Sequence, residues 1–180
     1  MCIRDSDVAN AIIDGTDAVM LSGESAVGDF PVQAVKMLAS IASDIEPEIE
    51  FDNYPPRQQD KASALAEAIN AVDKILDLHC IVAFTETGYS AKLAAAERPR
   101  APIVALTPYQ QICHRLNLVW GVLPILFEYN YANLEELTAQ METTLKQRNI
   151  VATGDHVLVL GGFPLRQSRT TSFLDIHTIS

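Results

Sequence analysis

Cysteine is scarce in this chain of 180 residues. Its three thiols, Cys2, Cys80 and Cys113, are odd in number and far apart. That fits neither a disulfide framework nor a zinc-ligand pattern, and a reducing cytoplasm is the expected setting. Basic residues are also few: 13 Lys and Arg face 23 Asp and Glu, for a formal net charge of −10. The deficit is uneven. Residues 1–52 hold 2 basic and 11 acidic residues, and residues 53–180 hold the remaining 11 and 12. The first stretch repels nucleic acid. The second is near neutral and does not exclude anionic ligands. The shift in charge marks a boundary near residue 52. No window approaches the roughly 18 uninterrupted apolar residues of a membrane span, so no membrane association is expected. The opening MCIRDS contains Arg4 and Asp5 and no apolar core, so it is not a secretory signal. The four histidines are scattered without metal-ligand spacing, and no tandem repeat or low-complexity tract is present.

What the chain does have is apolar periodicity, in a composition that is 48% hydrophobic. Val8, Ala9, Ile12 and Ile13 fall at helical spacing, and Asp14-Gly15 stops that helix. Ala18–Leu21 is short, apolar and bounded by turn residues, as a strand buried on both faces would be. Pro31 opens a helix whose apolar stripe is Val35, Leu38, Ala42 and Ile45, and Glu46-Pro47 ends it. The two prolines and lack of period in Glu48–Asp60 read as a linker. A helix carrying Leu65, Ile69, Val72 and Leu76 on one face follows. Strands are then expected over His79–Thr85, Pro102–Leu106, Val122–Phe127 and Val157–Leu160. Helices are expected over Ser90–Arg98, Gln110–Leu116 and Asn133–Arg148, the last with Asn133 as N-cap and Glu136 completing a capping box. Such alternation predicts an α/β fold with a mostly parallel sheet. A final strand, Phe173–Ile179, follows too short a loop for a parallel crossover and is expected to be antiparallel.

Three loops carry polar chemistry at strand ends. Ser22-Gly23-Glu24-Ser25 follows the first expected strand; it either faces a substrate cavity with its hydroxyls or is a tight turn around Gly23. Thr85-Glu86-Thr87-Gly88-Tyr89-Ser90 follows a strand and opens a helix. Its hydroxyls, backbone amides and helix dipole suit an anion; alternatively Gly88 is a turn residue and Ser90 an N-cap. The stretch 161–171 combines glycines and a proline with Arg166, Arg169 and several hydroxyls. It could close over a phosphate through charge-assisted bonds, or be an exposed connection with solvated arginines. Cys113-His114 and Trp120 read as structural.

The run from Asp7 to Val35, DVANAIIDGTDAVMLSGESAVGDFPVQAV, resembles the last βα repeat of the catalytic barrel of pyruvate kinases. A match of this length is highly specific. Thr85–Ala91 resembles that family's effector-phosphate loop, Arg98–Thr107 the segment after it, and Thr170–His177 the closing strand of the C-terminal domain. The resemblance implies residues 1–50 as a remnant of a (β/α)8 barrel and 51–60 as a linker. Residues 61–180 become a three-layer α/β domain with a mostly parallel five-stranded sheet and an antiparallel last strand. It implies phosphoryl transfer from phosphoenolpyruvate to ADP in glycolysis, with Mg2+ and K+, in a cytoplasmic homotetramer. The family's catalytic lysine, its acidic magnesium ligands, its potassium ligands and its proton-transfer threonine precede the matching segment, so the 180 residues are expected to be inactive alone. Ser22 and Glu24 match the active-site periphery. Thr85, Thr87, Gly88 and Ser90 match the effector's phosphate loop, with Arg166 and Arg169 beside it. The residues for a second phosphate have no counterpart near Leu134–Thr143, and Leu165–Arg169 replaces a glycine-rich closing loop. Both departures point away from a fructose-bisphosphate effector and leave a sugar monophosphate, AMP or none. MCIRDS also departs from the family and reads as a foreign start on a truncated frame. A second reading is a stand-alone domain of this type that senses a phosphorylated metabolite.

Overall fold

The computed structural model of the chain describes residues 5–49, 51, 60–128, 134–162 and 171–180. The chain divides into two units, Met1–Asp52 and Asn53–Ser180.

The first unit is helical. Helix α1 (Asp5–Ile13) ends where expected. Gly15 takes a left-handed φ of 82°. The Thr16 amide reaches back to the Ala11 carbonyl at 3.1 Å, and the Gly15 amide to Ile12 at 2.9 Å. This paired closure satisfies carbonyls that a helix end leaves orphaned. A four-residue turn of helix, α2 (Gly23–Ala26), precedes α3 (Pro31–Ile45), which packs against α1. The expected strand Ala18–Leu21 does not form: these residues have no ladder partner among the described residues. A strand is defined by pairing of its backbone groups with a neighbour. Apolar content alone cannot supply that neighbour, and Met20 stands 86% exposed. The stripe on α3 is only partly covered in this unit: Val35 is exposed, Leu38, Ala42 and Ile45 are half-buried, and Ala34 is the buried residue of the helix.

The second unit alternates as the sequence pattern predicts. Helix α4 (Lys61–Ile75) is capped by Asp60, whose carboxylate accepts the Ser63 amide at 2.8 Å. Strand β1 (Cys80–Phe84), α5 (Tyr89–Ala96), β2 (Ile103–Thr107), α6 (Gln110–Leu116) and β3 (Val122–Leu126) follow. Helix α7 (Leu134–Gln147), β4 (His156–Gly161) and β5 (Phe173–Thr178) complete the order. Asn133, expected to cap α7, lies outside the described residues. The strands form one sheet in the order β3-β2-β1-β4-β5. The first four are mutually parallel, and β5 runs antiparallel to β4.

Alternation along each strand builds two cores. Cys80, Val82 and Phe84 of β1 join Val104, Leu106, Val157 and Val159 against Leu137, Met141 and Leu145 of α7. Ile81 and Ala83 join Ile103, Ala105, Leu158 and Leu160 against Ile69 of α4, the alanines of α5 and Leu116 of α6. The unit is therefore three layers, α7 on one face and α4, α5 and α6 on the other. Strands buried on both faces read as continuous apolar runs, which is why CIVAF and IVALT are so uniform. Asp73 sits among the apolar positions of α4 and is buried. Its carboxylate accepts the amides of Arg100 at 2.9 Å and Ala101 at 3.1 Å, fixing the approach to β2.

Candidate functional site

The strand order places a switch point between β1 and β4. From β1 the chain winds to β2 and β3 on one side, then crosses to β4 on the other. Parallel sheets of this kind open a crevice outside the carboxyl ends of the two strands where the winding reverses. Thr85 follows β1 directly, and Gly161 ends β4 beside it, in line with the register pairing Ala83 with Leu160.

The turn after β1 is built by its own side chains. The Thr85 amide donates to the Leu106 carbonyl at 3.0 Å, anchoring the turn to the sheet. Thr85 Oγ1 accepts the Gly88 amide at 2.9 Å, and Thr87 Oγ1 accepts the Tyr89 amide at 3.4 Å. Gly88 has φ +87°, and a Cβ there would lie 3.2 Å from Leu116 Cδ2. Both the left-handed backbone and the close approach call for glycine. Helix α5 starts at Tyr89 with Gly88 as its N-cap, so Ser90 is the second helical residue and not the cap. Its hydroxyl instead meets Thr171 Oγ1 at 2.8 Å. Thr85, Ser90 and Thr171 are buried, while Thr87 and Tyr89 are exposed. Helix geometry leaves the first-turn amides without intrahelical acceptors and concentrates partial positive charge at this end. The turn thus offers hydroxyls, amides and a dipole to an oxyanion.

Thr85, Thr87, Gly88 and Ser90 are therefore gathered in one turn. Arg166 and Arg169 lie outside the described residues. Two residues that the sequence reading named only within longer stretches belong to the surroundings. Thr171, one of the hydroxyls of 161–171, is the first. Glu86 is the other: its Oε1 is buried and has no hydrogen-bond partner. Neither is legible from spacing, because Thr171 meets the turn across 81 positions and the burial of Glu86 depends on tertiary packing.

Ser22 and Glu24 lie in the first unit. The Ser22 amide donates to Glu24 Oε2 at 3.2 Å, and the Ser25 hydroxyl donates to the Ser22 carbonyl at 3.3 Å. The Ser22 hydroxyl makes no cap bond to α2. The carboxylate satisfies a local amide.

Other chemistry-bearing groups resolve into structural roles. Burial pushes the Cys80 thiol up to about 12, with the charge of Asp155 adding to the effect. Burial also raises the Cys113 thiol. Neither is a ready thiolate at neutral pH. Glu142 on α7 is buried and accepts from His177 Nε2 at 2.6 Å and from the Ser180 amide at 3.2 Å. The Ser180 hydroxyl and Lys146 Nζ complete the network, the lysine donating to the Ser180 carbonyl. Here the carboxylate stands between serine and histidine, so no base faces a nucleophile and the network ties β5 to α7. Among the described residues, no group of three His, Cys, Asp or Glu could hold a metal ion, and no helix is long and apolar enough to cross a membrane.

Residues 63–177 match the family described as pyruvate kinase, alpha/beta domain, and residues 3–35 match pyruvate kinase, barrel domain. Among curated proteins the chain is similar to the pyruvate kinase of Clostridium acetobutylicum, at 36% identity over 97% of the chain and 38% of the relative. It is also 37% identical to those of Lactobacillus delbrueckii subsp. bulgaricus and Geobacillus stearothermophilus, covering 97% of the chain and 31% and 30% of those proteins. The chain spans about a third of the length of these relatives.

Proposed function

The chain belongs to the pyruvate kinase family, and on that premise we propose that it is part of an enzyme that transfers phosphoryl from phosphoenolpyruvate to ADP, giving pyruvate and ATP. The observation that carries this reading is collinearity. A barrel match over 3–35 precedes an alpha/beta-domain match over 63–177, whereas a stand-alone phosphometabolite sensor has use for the second alone. Ser22 and Glu24 then stand at the rim of the active site. Among the described residues no group of three His, Cys, Asp or Glu could hold the family's Mg2+. No chemical step is assigned to Mg2+ or K+ here, and the groups that bind them belong to the preceding part of such an enzyme. Phosphoryl transfer rests on positioned cationic and metal charge. The 180-residue polypeptide is expected to form no pyruvate from phosphoenolpyruvate and ADP. Turnover by the purified chain would overturn this assignment of roles.

In the second unit the proposed role is regulatory, within a cytoplasmic homotetramer. The turn Thr85–Ser90 receives the phosphate of a monophosphorylated effector, a sugar phosphate or AMP, and Arg166 and Arg169 add charge. Its position at the switch point and its donor set support this. The unit's balance of 11 basic and 12 acidic residues means that attraction comes from local donors and not from a basic field. Calorimetric titration with ribose 5-phosphate, AMP, glucose 6-phosphate and fructose 1,6-bisphosphate tests it. Binding of a monophosphate, abolished in a Thr85→Ala/Ser90→Ala variant, is expected. Failure of all four to bind would reduce the turn to a strand-to-helix connection.

A further inference from the structure

Ser90 Oγ and Thr171 Oγ1 lie 2.8 Å apart, and both residues are buried. Each hydroxyl carries one hydrogen and two lone pairs, so the pair can be polarised in two ways. With Ser90 donating to Thr171, Ser90 turns only lone pairs toward the first turn of α5, and an oxyanion is repelled. With Thr171 donating, Ser90 keeps its own O–H for a third acceptor, and the incoming bond polarises that O–H further. Thr85 and Thr87 already show the second arrangement. Their oxygens accept the Gly88 and Tyr89 amides, so each hydroxyl keeps its O–H hydrogen for a further acceptor.

We propose that Thr171 is a positioning residue of the oxyanion site: by donating to Ser90 Oγ it sets the Ser90 hydroxyl as a donor toward a tetrahedral oxyanion at the start of α5. The inference rests on the phosphate-site reading above. Thr171 is suited to the role because its backbone is fixed. The next amide, Ser172, donates to the Gly161 carbonyl at 2.8 Å, pinning the approach to β5 onto the end of β4. Burial limits competition from water for either hydroxyl.

Calorimetric titration of the full 180-residue chain with inorganic phosphate tests this, using wild type and the Ser90→Ala, Thr171→Val and Thr171→Ser variants, each checked by thermal melting. Val keeps the shape of Thr and removes its hydroxyl, whereas Ser keeps the hydroxyl. Thr171→Val is expected to weaken phosphate binding about tenfold, the scale of one hydrogen bond to a charged partner. Thr171→Ser should bind within about twofold of wild type. If the valine variant does not fold, Thr171→Ala carries the same comparison. Phosphate binding by Thr171→Val equal to wild type, with Ser90→Ala impaired, would overturn the role of Thr171 and leave the site standing. Equal loss in the valine and serine variants would assign the effect to packing of the methyl group and would also overturn it. Absence of phosphate binding by wild type would remove the site and this inference together.

Discussion

Gly88 is where backbone geometry and packing make the same demand. An L-residue held at φ +87° is strained by about 1–2 kcal/mol. The added methyl would also press on Leu116, which α6 buries fully against the sheet. Gly88→Ala is therefore expected to lower stability by about 1–2 kcal/mol or somewhat more. Urea unfolding with an unchanged midpoint would contradict it. The glycine was legible in the sequence as a turn. The division of labour around it was not. Ser90 has the chemistry of an N-cap, but the cap position depends on which residue first leaves helical φ and ψ, and Gly88 takes it. Thr85 then serves the Gly88 amide, and the Ser90 hydroxyl goes to Thr171. Asp73 was hidden for a related reason. It lies four positions after Ile69 on a helix read for its apolar stripe, and its partners arrive from Arg100 and Ala101.

Among the elements, β5 and α7 are joined by a carboxylate whose protonation matters. Burial raises the pKa of Glu142, but hydrogen bonds from Ser180 and His177 outweigh it and hold the value below the ordinary 4.5. The unfolded chain therefore binds this proton more readily than the folded one. The stabilisation is present above the ordinary value and is lost as pH falls through the lowered folded value. Lys146 adds its positive charge to the same network through the Ser180 carbonyl. Glu142→Gln is expected to cost stability at neutral pH, with the gap to wild type narrowing as pH drops below about 4.5. Chemical denaturation across that range measures it, and a gap that stays constant with pH would rule the linkage out. The antiparallel sense of β5 was readable because the connection after β4 is too short for a crossover. The alternation of β1 to β4 with helices was readable from period alone. Ala18–Leu21 was not: an apolar tetrapeptide has the composition of a strand, but pairing is a property of two segments, and one of them is missing among the described residues.

For the whole molecule, the two units differ in how much apolar surface they cover. In residues 1–52, Ile12 and Ala34 are the buried hydrophobics among those described. Ile13, Met20, Val27, Phe30, Val32, Val35 and Met37 are exposed. A segment of about 50 residues sits near the size at which a chain struggles to bury enough surface to fold alone. In the second unit both faces of the central strands β1, β2 and β4 are covered, and large apolar side chains such as Ile69, Leu106, Leu137, Met141, Leu158 and Ile179 are fully buried. Opening free energies should differ accordingly, since they track buried apolar contact and protected backbone bonding. Under mild proteolysis of the full chain, residues 1–50 are expected to be cut first, leaving a fragment of about residues 60–180 that keeps cooperative thermal unfolding. Mass spectrometry of the time course identifies the fragments. Equal resistance of both units would mean that the exposed apolar faces of the first are covered in solution, and the division into a dependent and an autonomous unit would fall.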